Sequence, residues 1–468
     1  MDAEIAVVGA GPAGLSAAVA VGEAGCRVGL VDAYARPGGQ YFKQLPGEFK
    51  AQAPQVLHHE TSVAVDLFRR VERITSVDML SGTGVWMAER RSGESPHTLH
   101  LAGPTGAFEL RAEAVILAPG AYDRALPFPG WDVPGVMTVG AAQTLIKSQR
   151  VLPGHRIVLS GAGPFLLPVA VGLAEAGAHV VAVCEATPPL WSSPWTGIKM
   201  MNHPDKILEG VDYLKTLQKY RVPVKYGRAV TRVTGRDRVE SATVSRIGKD
   251  WVPVPGGEEE VQVDTVCVGY GFMPSNELTH LFGCEHDYDP IGGAAFARHD
   301  DDMQSTEPGV FVAGEITGVR GSAVALAQGS ISGLAAARSI GKVGQAEYEQ
   351  AVGPLRKTYH HRRAFGDLLV RYFAVQQGWM SWVTPETIIC RCEEVTFGEV
   401  TDAVTRHEAR DVKTVKSITR CGMGPCQGRE CAYAVTALTA RLSGRSAAEV
   451  GTFTSQPIVR PIPLAEML

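Results

Sequence analysis

The chain opens on a short apolar run, IAVV at residues 5–8, then a glycine-rich turn, then apolar positions at helical spacing as far as Gly25, then a second apolar run at 27–32. A continuous apolar run bounded by glycines fits a strand buried on both faces, and the longer periodic stretch fits a helix, so the pattern predicts strand, turn, helix, strand. Pro12 stands where the helix begins, where its missing N–H costs nothing. The same order returns at 155–186, HRIVLSGAGPF through CEA. Three further apolar runs end in glycine turns: AEAVILAPGAYDR at 112–124, VDTVCVGYGFMPSNEL at 263–278 and GVFVAGEIT at 309–317. Near the C-terminus, Thr396 and Glu399 have capping-box spacing, and Phe397, Val400 and Val404 continue at helical intervals. Ala434, Leu438 and Leu442 share a second helix face that Gly444 would end.

Composition narrows the class. The 468 residues are 45% hydrophobic and 20% charged, which suits two to four globular domains. A net charge of −4 without like-charge blocks gives no sign of nucleic-acid binding. There is no apolar run of 18 residues, and no basic region precedes the first strand. Neither a membrane span nor a signal peptide is expected, and the expected location is cytoplasmic, free or peripheral on the inner face of the membrane.

The first glycine turn is G-x-G-x-x-G, formed by Gly9, Gly11 and Gly14, with Asp32 ending the second strand 18 residues later. Gly9 would permit the tight turn, Gly11 the approach of backbone N–H groups to a pyrophosphate, and Gly14 close packing of helix on strand. The helix dipole would face the phosphates, and the acid would meet a ribose hydroxyl. In the repeat, Gly161 and Gly163 are present, the third position is Leu166, and Glu185 ends the second strand. Leu166 is expected to push helix and strand apart. The second fold is therefore left among NAD(H), a structurally held adenine nucleotide (ATP or ADP) and no ligand.

Nine cysteines, an odd number, include five between 390 and 431: Cys390, Cys392, Cys421, Cys426 and Cys431. Their local clustering argues for a metal site rather than a disulfide framework. CRCEEVT and TRCGMGPCQGREC each read as a loop leading into a helix. Four thiolates suit zinc or an iron–sulfur cluster, and C-x-C is tighter than the usual zinc knuckle, which favours [2Fe–2S]. Spacing alone does not exclude Cys421 from the ligands. Cys26, Cys184 and Cys267 read as small core residues, and Cys284 lies among polar neighbours with nothing to make it a nucleophile. No C-x-x-C follows the glycine pair of GGQYFKQ or lies in the repeat, so disulfide reductase chemistry is not expected.

Gly38-Gly39 after Asp32, the turn at 117–120 and the late GVFVAGE resemble flavoproteins with two dinucleotide domains, which makes FAD the nucleotide of the first fold. With LAPGAYDRALPFPGWDVPGVMTVGAAQTLIKSQRVLPG and the two cysteine stretches, nearly the whole chain resembles one family: the FAD- and [2Fe–2S]-containing alpha-type subunit of heteromeric bacterial amino-acid, opine and (hydroxy)proline dehydrogenases and of hydrogen cyanide synthase. The resemblance implies that Gly9, Gly11, Pro12, Ala13, Gly14, Asp32, Gly39, Gln40, Gly120, Gly314 and Glu315 bind FAD, with Gly161, Gly163 and Glu185 serving the second fold. It implies Cys390, Cys392, Cys426 and Cys431 as ligands, with Cys421 adjacent and spare. It also implies a beta-type flavoprotein partner that oxidises the amine, in some complexes a small third subunit, FMN at a subunit interface, and electrons passed to the cluster and an external acceptor. Pro119 where relatives often have threonine, Glu315 for aspartate and Cys421 for a small apolar residue depart from the pattern.

The expected fold is thus α/β, with two nested Rossmann-like dinucleotide-binding domains and a small helical C-terminal [2Fe–2S] domain. The expected boundaries are 1–125 with 286–345 for the FAD domain, 126–285 for the insert, 346–384 for a mixed connector, 385–445 for the cluster domain and 446–468 for an extended tail. Arg124 is expected near the flavin, and Lys43 as a solvated surface residue. His58, His59 and the stretch 360–363 are expected as surface groups. No catalytic residue is expected, because no triad or paired carboxylates are visible, and electron relay needs none. Two other readings remain: a self-contained NAD(P)H-dependent reductase of a protein acceptor, and a scaffold with vestigial folds.

Overall fold

A computed structural model describes residues 1–46, 49, 61–91, 96–453 and 458–466. His58 and His59 lie outside the described residues. The opening run forms the strand Asp2–Val8, buried from Ile5 onward, and the helix Pro12–Glu23 follows directly. Asp2–Val8 pairs in parallel with Val28–Val31 on one side and Gly106–Leu117 on the other. The sheet extends through Val77–Leu80 at one end and antiparallel His97–Gly103 and Gly84–Glu89 at the other, and Val310–Val312 lies parallel to Gly106–Leu117. Every strand feeding the glycine turns therefore points its C-terminal end at the same edge, where ligands bind in open α/β sheets.

The repeat builds a second parallel sheet, in the order Val224–Tyr226, His179–Glu185, Arg156–Gly161, Thr265–Gly269 and Val136–Thr138. An antiparallel three-stranded sheet, Arg228–Thr234, Ser241–Ile247 and Pro253–Gln262, covers one side. The chain crosses between the two folds on one short ribbon, Ala121–Asp123 paired with Phe272–Pro274. Leu278, Phe282 and Cys284, expected in the insert, pack instead into the core of the first sheet with Val8, Val115 and Val312. The return thus follows the strand and glycine turn at 263–278, ahead of the expected boundary at 285. Cys284 is accordingly buried, its thiol donating to Ser305 Oγ at 3.4 Å, rather than set among solvated polar groups.

Most of the expected connector, 346–384, is a helix of 28 residues, Gln345–Tyr372, with Pro354 inside it, and a short turn, Gln377–Ser381, follows. An interior proline argues against a helix in sequence, and packing overrides it: Tyr348, Val352 and Tyr359 are buried in the first fold's core. The next aromatics bind the C-terminal domain to the insert. Trp382 stacks on Trp251 at 6.3 Å and donates to its carbonyl at 2.9 Å, and Trp131 donates to Ile388 O at 2.6 Å. The C-terminal domain has a hairpin, Ile388–Cys390 with Val395–Thr396, and the helices Phe397–Thr405, Val412–Thr419 and Ala432–Ser443. The capping box at Thr396 and Glu399 forms as expected, and Gly444 caps the last of these helices at φ 69°. The middle helix, capped by the Asp411 side chain, leaves little trace in the sequence because its apolar stripe is only a few residues long. No helix among the described residues is long and apolar enough to cross a membrane.

Because Trp382 fills a fully packed site between two modules, Trp382→Ala should cost about 3–5 kcal/mol. The check is the urea midpoint of the transition that releases the C-terminal domain; an unchanged midpoint would show that the indole does not tie the modules together.

Candidate functional site

Gly9 adopts φ 100°, and a Cβ there would lie 2.3 Å from Ala118 O. A Cβ on Gly14 would lie 1.6 Å from Gly9 O, closer than any side-chain atom can come. Gly39 brings its backbone against Gly11, where a Cβ would meet Gly11 Cα at 2.8 Å. The loop therefore presents bare backbone to a groove at the N-terminus of Pro12–Glu23. The Asp32 carboxylate closes one end, accepting from Ala10 N at 2.5 Å and Tyr34 N at 2.7 Å. Burial pushes its pKa up, and those two N–H groups oppose the shift.

A second helix N-terminus, missed in the sequence, faces the same groove. The helix Ser322–Ser339 packs so closely on Pro12–Glu23 that a Cβ on Gly329 would lie 2.0 Å from Ala13 O, and one on Gly333 2.7 Å from Ala17 O. The available signal was the small-residue spacing of AVALAQGSISG. Before this helix, Gly314 N donates to Gln328 Oε1 at 3.0 Å, and Gln328 Nε2 donates to Thr317 Oγ1 at 2.7 Å. These two buried polar residues were also missed, since a lone glutamine and threonine carry no motif. Glu315 accepts from Gly321 N at 3.2 Å, while its Oε2 is enclosed without a partner, and burial pushes its pKa up to about 7. Two helix N-termini, a glycine cradle and an enclosed carboxylate oxygen lacking a partner fit a dinucleotide with ribityl or ribose hydroxyls. Lys43 is buried rather than solvated: its ammonium donates to Gln40 Oε1 at 2.6 Å and Thr144 Oγ1 at 3.1 Å, and burial lowers its pKa. Gln40 and Thr144, from the two folds, draw it inward. Arg124 is buried against Tyr433 and bonds the Gly292 carbonyl.

The groove continues into a cavity of roughly 1600 Å³ that also reaches Gly163, Leu166 and Glu185 of the second fold. A volume above the usual 300–1,000 Å³ of one ligand site gives room for more than one group. Leu166 is buried, and the helix there starts at Leu166 itself, set back from Gly163 by a turn in which Leu166 N reaches Gly163 O at 3.3 Å. The helix therefore starts two positions later than in the first fold, where it begins at Pro12. Glu185 mirrors Asp32: it accepts from Gly163 N, Thr187 N and Thr187 Oγ1 at 3.0, 2.9 and 2.6 Å. Burial pushes it up to about 7 against those bonds.

In the C-terminal domain the Sγ atoms of Cys390, Cys421 and Cys431 lie within 4.8 Å of one another, all three buried. Cys392 and Cys426 sit beside each other, partly exposed, and Cys426 lines the large cavity. Thus Cys421, expected as spare, is inside the thiol group, with two of the chosen four beside it and the other two forming a neighbouring pair. Hydrogen bonds from Cys421 and Cys431 pull the Cys390 thiol down, and the same contact pushes Cys421 up. Gly422 and Gly428, at φ 79° and 85°, lie under the Phe453 ring, which folds the start of the tail onto the cysteine loop. An all-sulfur donor set at this density fits an iron–sulfur cluster or zinc. Cys26, Cys184 and Cys267 are buried core residues, and burial pushes Cys184 and Cys267 up to about 12.

The family profile described as pyridine nucleotide-disulphide oxidoreductase matches residues 3–333, and the BFD-like [2Fe-2S] binding domain matches 388–441. An opine oxidase subunit from Rhizobium meliloti is 31% identical over 99% of this chain and 87% of its own length. Hydrogen cyanide synthase subunit HcnB of Pseudomonas protegens is 31% identical over 98% and 96%. The crystal structure of L-proline dehydrogenase from P. horikoshii superposes with a TM-score of 0.69 at 17% identity, covering all of this chain and 80% of that one, which shows a shared fold.

Two outcomes follow from the geometry. Gly14→Ala should lower FAD retention at least ten-fold, read as the flavin-to-protein absorbance ratio, because the methyl group has no room beside Gly9 O; a normal ratio would remove the close approach from the account. Glu185 has a folded pKa raised above its usual 4.5, so the stability it adds is present below 4.5 and lost as pH rises through about 7. The melting temperature of the ligand-free chain should therefore fall less steeply between about pH 5 and pH 8 in Glu185→Gln than in the parent. Equal slopes would mean that Glu185 titrates normally.

Proposed function

Since the chain belongs to the pyridine nucleotide-disulphide oxidoreductase family and carries a BFD-like [2Fe-2S] binding domain, making it an FAD-dependent oxidoreductase, we propose that it is the electron-relay subunit of a heteromeric dehydrogenase or oxidase acting on an amino acid, imino acid or opine. The observation that carries this reading is the one cavity that joins the Gly9–Asp32 groove to Cys426. Relatives matched over nearly their full lengths are named as subunits, which supports a hetero-oligomer. The amine site then belongs to a partner chain, a beta-type flavoprotein, with FMN at the interface as in the resemblance.

When bound, FAD supplies two-electron chemistry and the cluster one-electron chemistry. This chain's residues do the holding. Gly9, Gly11, Pro12, Ala13 and Gly14 offer backbone and a helix N-terminus to the pyrophosphate. Asp32 and Glu315 offer carboxylates to sugar hydroxyls, and Gly39, Gln40, Gly120 and Gly314 line the groove. Cys390, Cys392, Cys426 and Cys431 are the ligand set, read as the pairs Cys392 with Cys426 and Cys390 with Cys431. Buried Cys421 stands beside the second pair and tests that assignment.

A second reading has one observation behind it. Glu185 and Gly163 line the same cavity, as they would if NAD(P)H delivered electrons directly. An anaerobic titration separates the two. The relay reading expects no flavin bleaching by NADH and a rhombic [2Fe–2S] EPR signal after dithionite. Bleaching by stoichiometric NADH would overturn it in favour of a self-contained reductase. In the same assay Cys421→Ala should keep the signal and Cys431→Ala should lose it; the reverse would exchange the two ligands.

A further inference from the structure

Residues 191–211 leave the apolar side chains of one segment in solvent. Trp191, Trp195, Ile198, Met201, Leu208 and Val211 are 67, 76, 60, 72, 69 and 41% exposed. They stand on the short turn Leu190–Ser192, the helix Pro194–Met200, the residue after it and the helix Pro204–Lys219. The buried faces of the same segment hold Thr196, His203, Tyr213 and Leu217, so it is a folded element with a second apolar side. Single exposed apolar residues are ordinary, but six within 191–211, two of them indoles, are not.

We infer that this face is where the amine-oxidising flavoprotein subunit docks, an inference that rests on the relay reading above. Area is the first argument. With roughly 200 Å² per indole, the two tryptophans alone expose on the order of 300 Å². With the four aliphatic side chains the patch exceeds what a monomer ordinarily shows and approaches the roughly 800 Å² per partner of a stable protein interface. Tryptophan and methionine are also the residue types enriched at such interfaces.

Charge is the second argument, and it separates a protein partner from a lipid surface. An interfacial membrane helix carries a polar face rich in lysine and arginine. Here Lys206 is paired with Glu209 at 2.8 Å and Asp205 with Arg362 at 2.7 Å, and Asp212 adds another acid beside Val211. Lys199, Lys215 and Lys219 add exposed positive charge, so residues 194–219 carry four lysines against three acids. The face is thus weakly basic and mixed in sign, short of the lysine- and arginine-rich face that anionic headgroups would favour.

Position is the third argument. Trp191, Met200, Ile207 and Val211 also line the wall of the large cavity. Whatever covers the patch lies beside the cavity that Asp32 and Gly39 also line. A second copy of this chain docked here about a two-fold axis would bring two cavities mouth to mouth and leave no side for a donor. A flavoprotein with its own reaction centre gains the shortest approach to this chain's flavin groove.

The test uses the full chain, tagged and purified from its own host, in parent and Trp195→Glu/Leu208→Glu forms. Light scattering gives the mass, mass spectrometry identifies co-eluting chains, and flavin per chain shows whether a partner carries its own flavin. The parent should elute with a second flavoprotein. The variant should keep its own flavin absorbance and cluster EPR signal yet bind that partner roughly a thousand-fold more weakly, as expected for the loss of two anchoring side chains. Amide exchange of residues 190–211 in the parent should slow in the complex, which guards against a variant that misfolds. A variant that keeps the partner, with no protection of 190–211, overturns the docking face and leaves the relay reading intact. A parent without any flavoprotein partner overturns both. A patch that instead mediates a homodimer, or binds vesicles of mixed neutral and anionic lipid, assigns the face to that occupant and removes the proposal.

Discussion

Backbone touching backbone is the contact on which the architecture depends. A Cβ on Gly14 would fall 1.6 Å from Gly9 O, and one on Gly329 2.0 Å from Ala13 O. These close approaches pull two helix N-termini onto the ends of Asp2–Val8 and Val310–Val312 and leave N–H groups aimed into one groove. No side chain could replace them, since any side chain would hold the helices apart by its own width. Leu166 shows the alternative within the same molecule. Where the repeat carries a leucine, the helix begins later. The two folds thus share the strand–turn–helix–strand order but differ at the turn, where Phe165 and Leu166 replace Ala13 and Gly14.

The carboxylates follow the same logic. Asp32 and Glu185 end equivalent strands and accept from the equivalent glycine loops. Each is buried, which disfavours its charge, and each is held by N–H groups, which favours it. Glu315 accepts from the backbone at Gly321 and Arg320, and its Oε2 is enclosed without a partner. The first fold is therefore the more demanding of a ligand: its polar groups are only partly satisfied by protein, whereas Glu185 has its neighbours already.

The glycine loops, the acids at the strand ends and the cysteine stretches were legible because their chemistry is carried by adjacent residues. What escaped carries no motif and gains its meaning only when folding brings its parts together. Gln328 and Thr317 look ordinary until Gly314 is brought beside them. Lys43 reads as a surface lysine until Gln40 and Thr144, from different folds, enclose it. Pro354 speaks against a helix, and only the burial of Tyr348 and Tyr359 on one side shows why the helix persists. The glycine turn of 263–278 marked the return from the insert, but the boundary at 285 fell a few residues late, because Leu278 and Phe282 have no local mark that says which core they fill. Cys421 is the instructive case, since spacing treats five thiols as nearly equivalent, and folding sorts them into a buried three and a neighbouring pair.

The arrangement of the modules carries one more consequence. The two nucleotide folds are joined by a single narrow ribbon, Ala121–Asp123 with Phe272–Pro274, which by itself would let the insert turn. Two braces cross it. The helix Gln345–Tyr372 is fixed to the first fold through Tyr348 and Arg356 on Asp302, and to the insert through Arg362 on Asp205 and the Tyr372 hydroxyl on Pro189 O at 2.8 Å. The C-terminal domain shares a core with the insert through Trp251, Trp379 and Trp382, yet reaches the first fold through Arg429 on Glu277 at 2.7 Å and Val459 N on Trp86 O at 2.9 Å. A turn of the insert about the ribbon would have to break both braces together, including a partly buried ion pair. The segment that carries the thiol group thus also braces the flavin groove against Cys426, and a fixed distance is what the proposed relay between two bound groups requires.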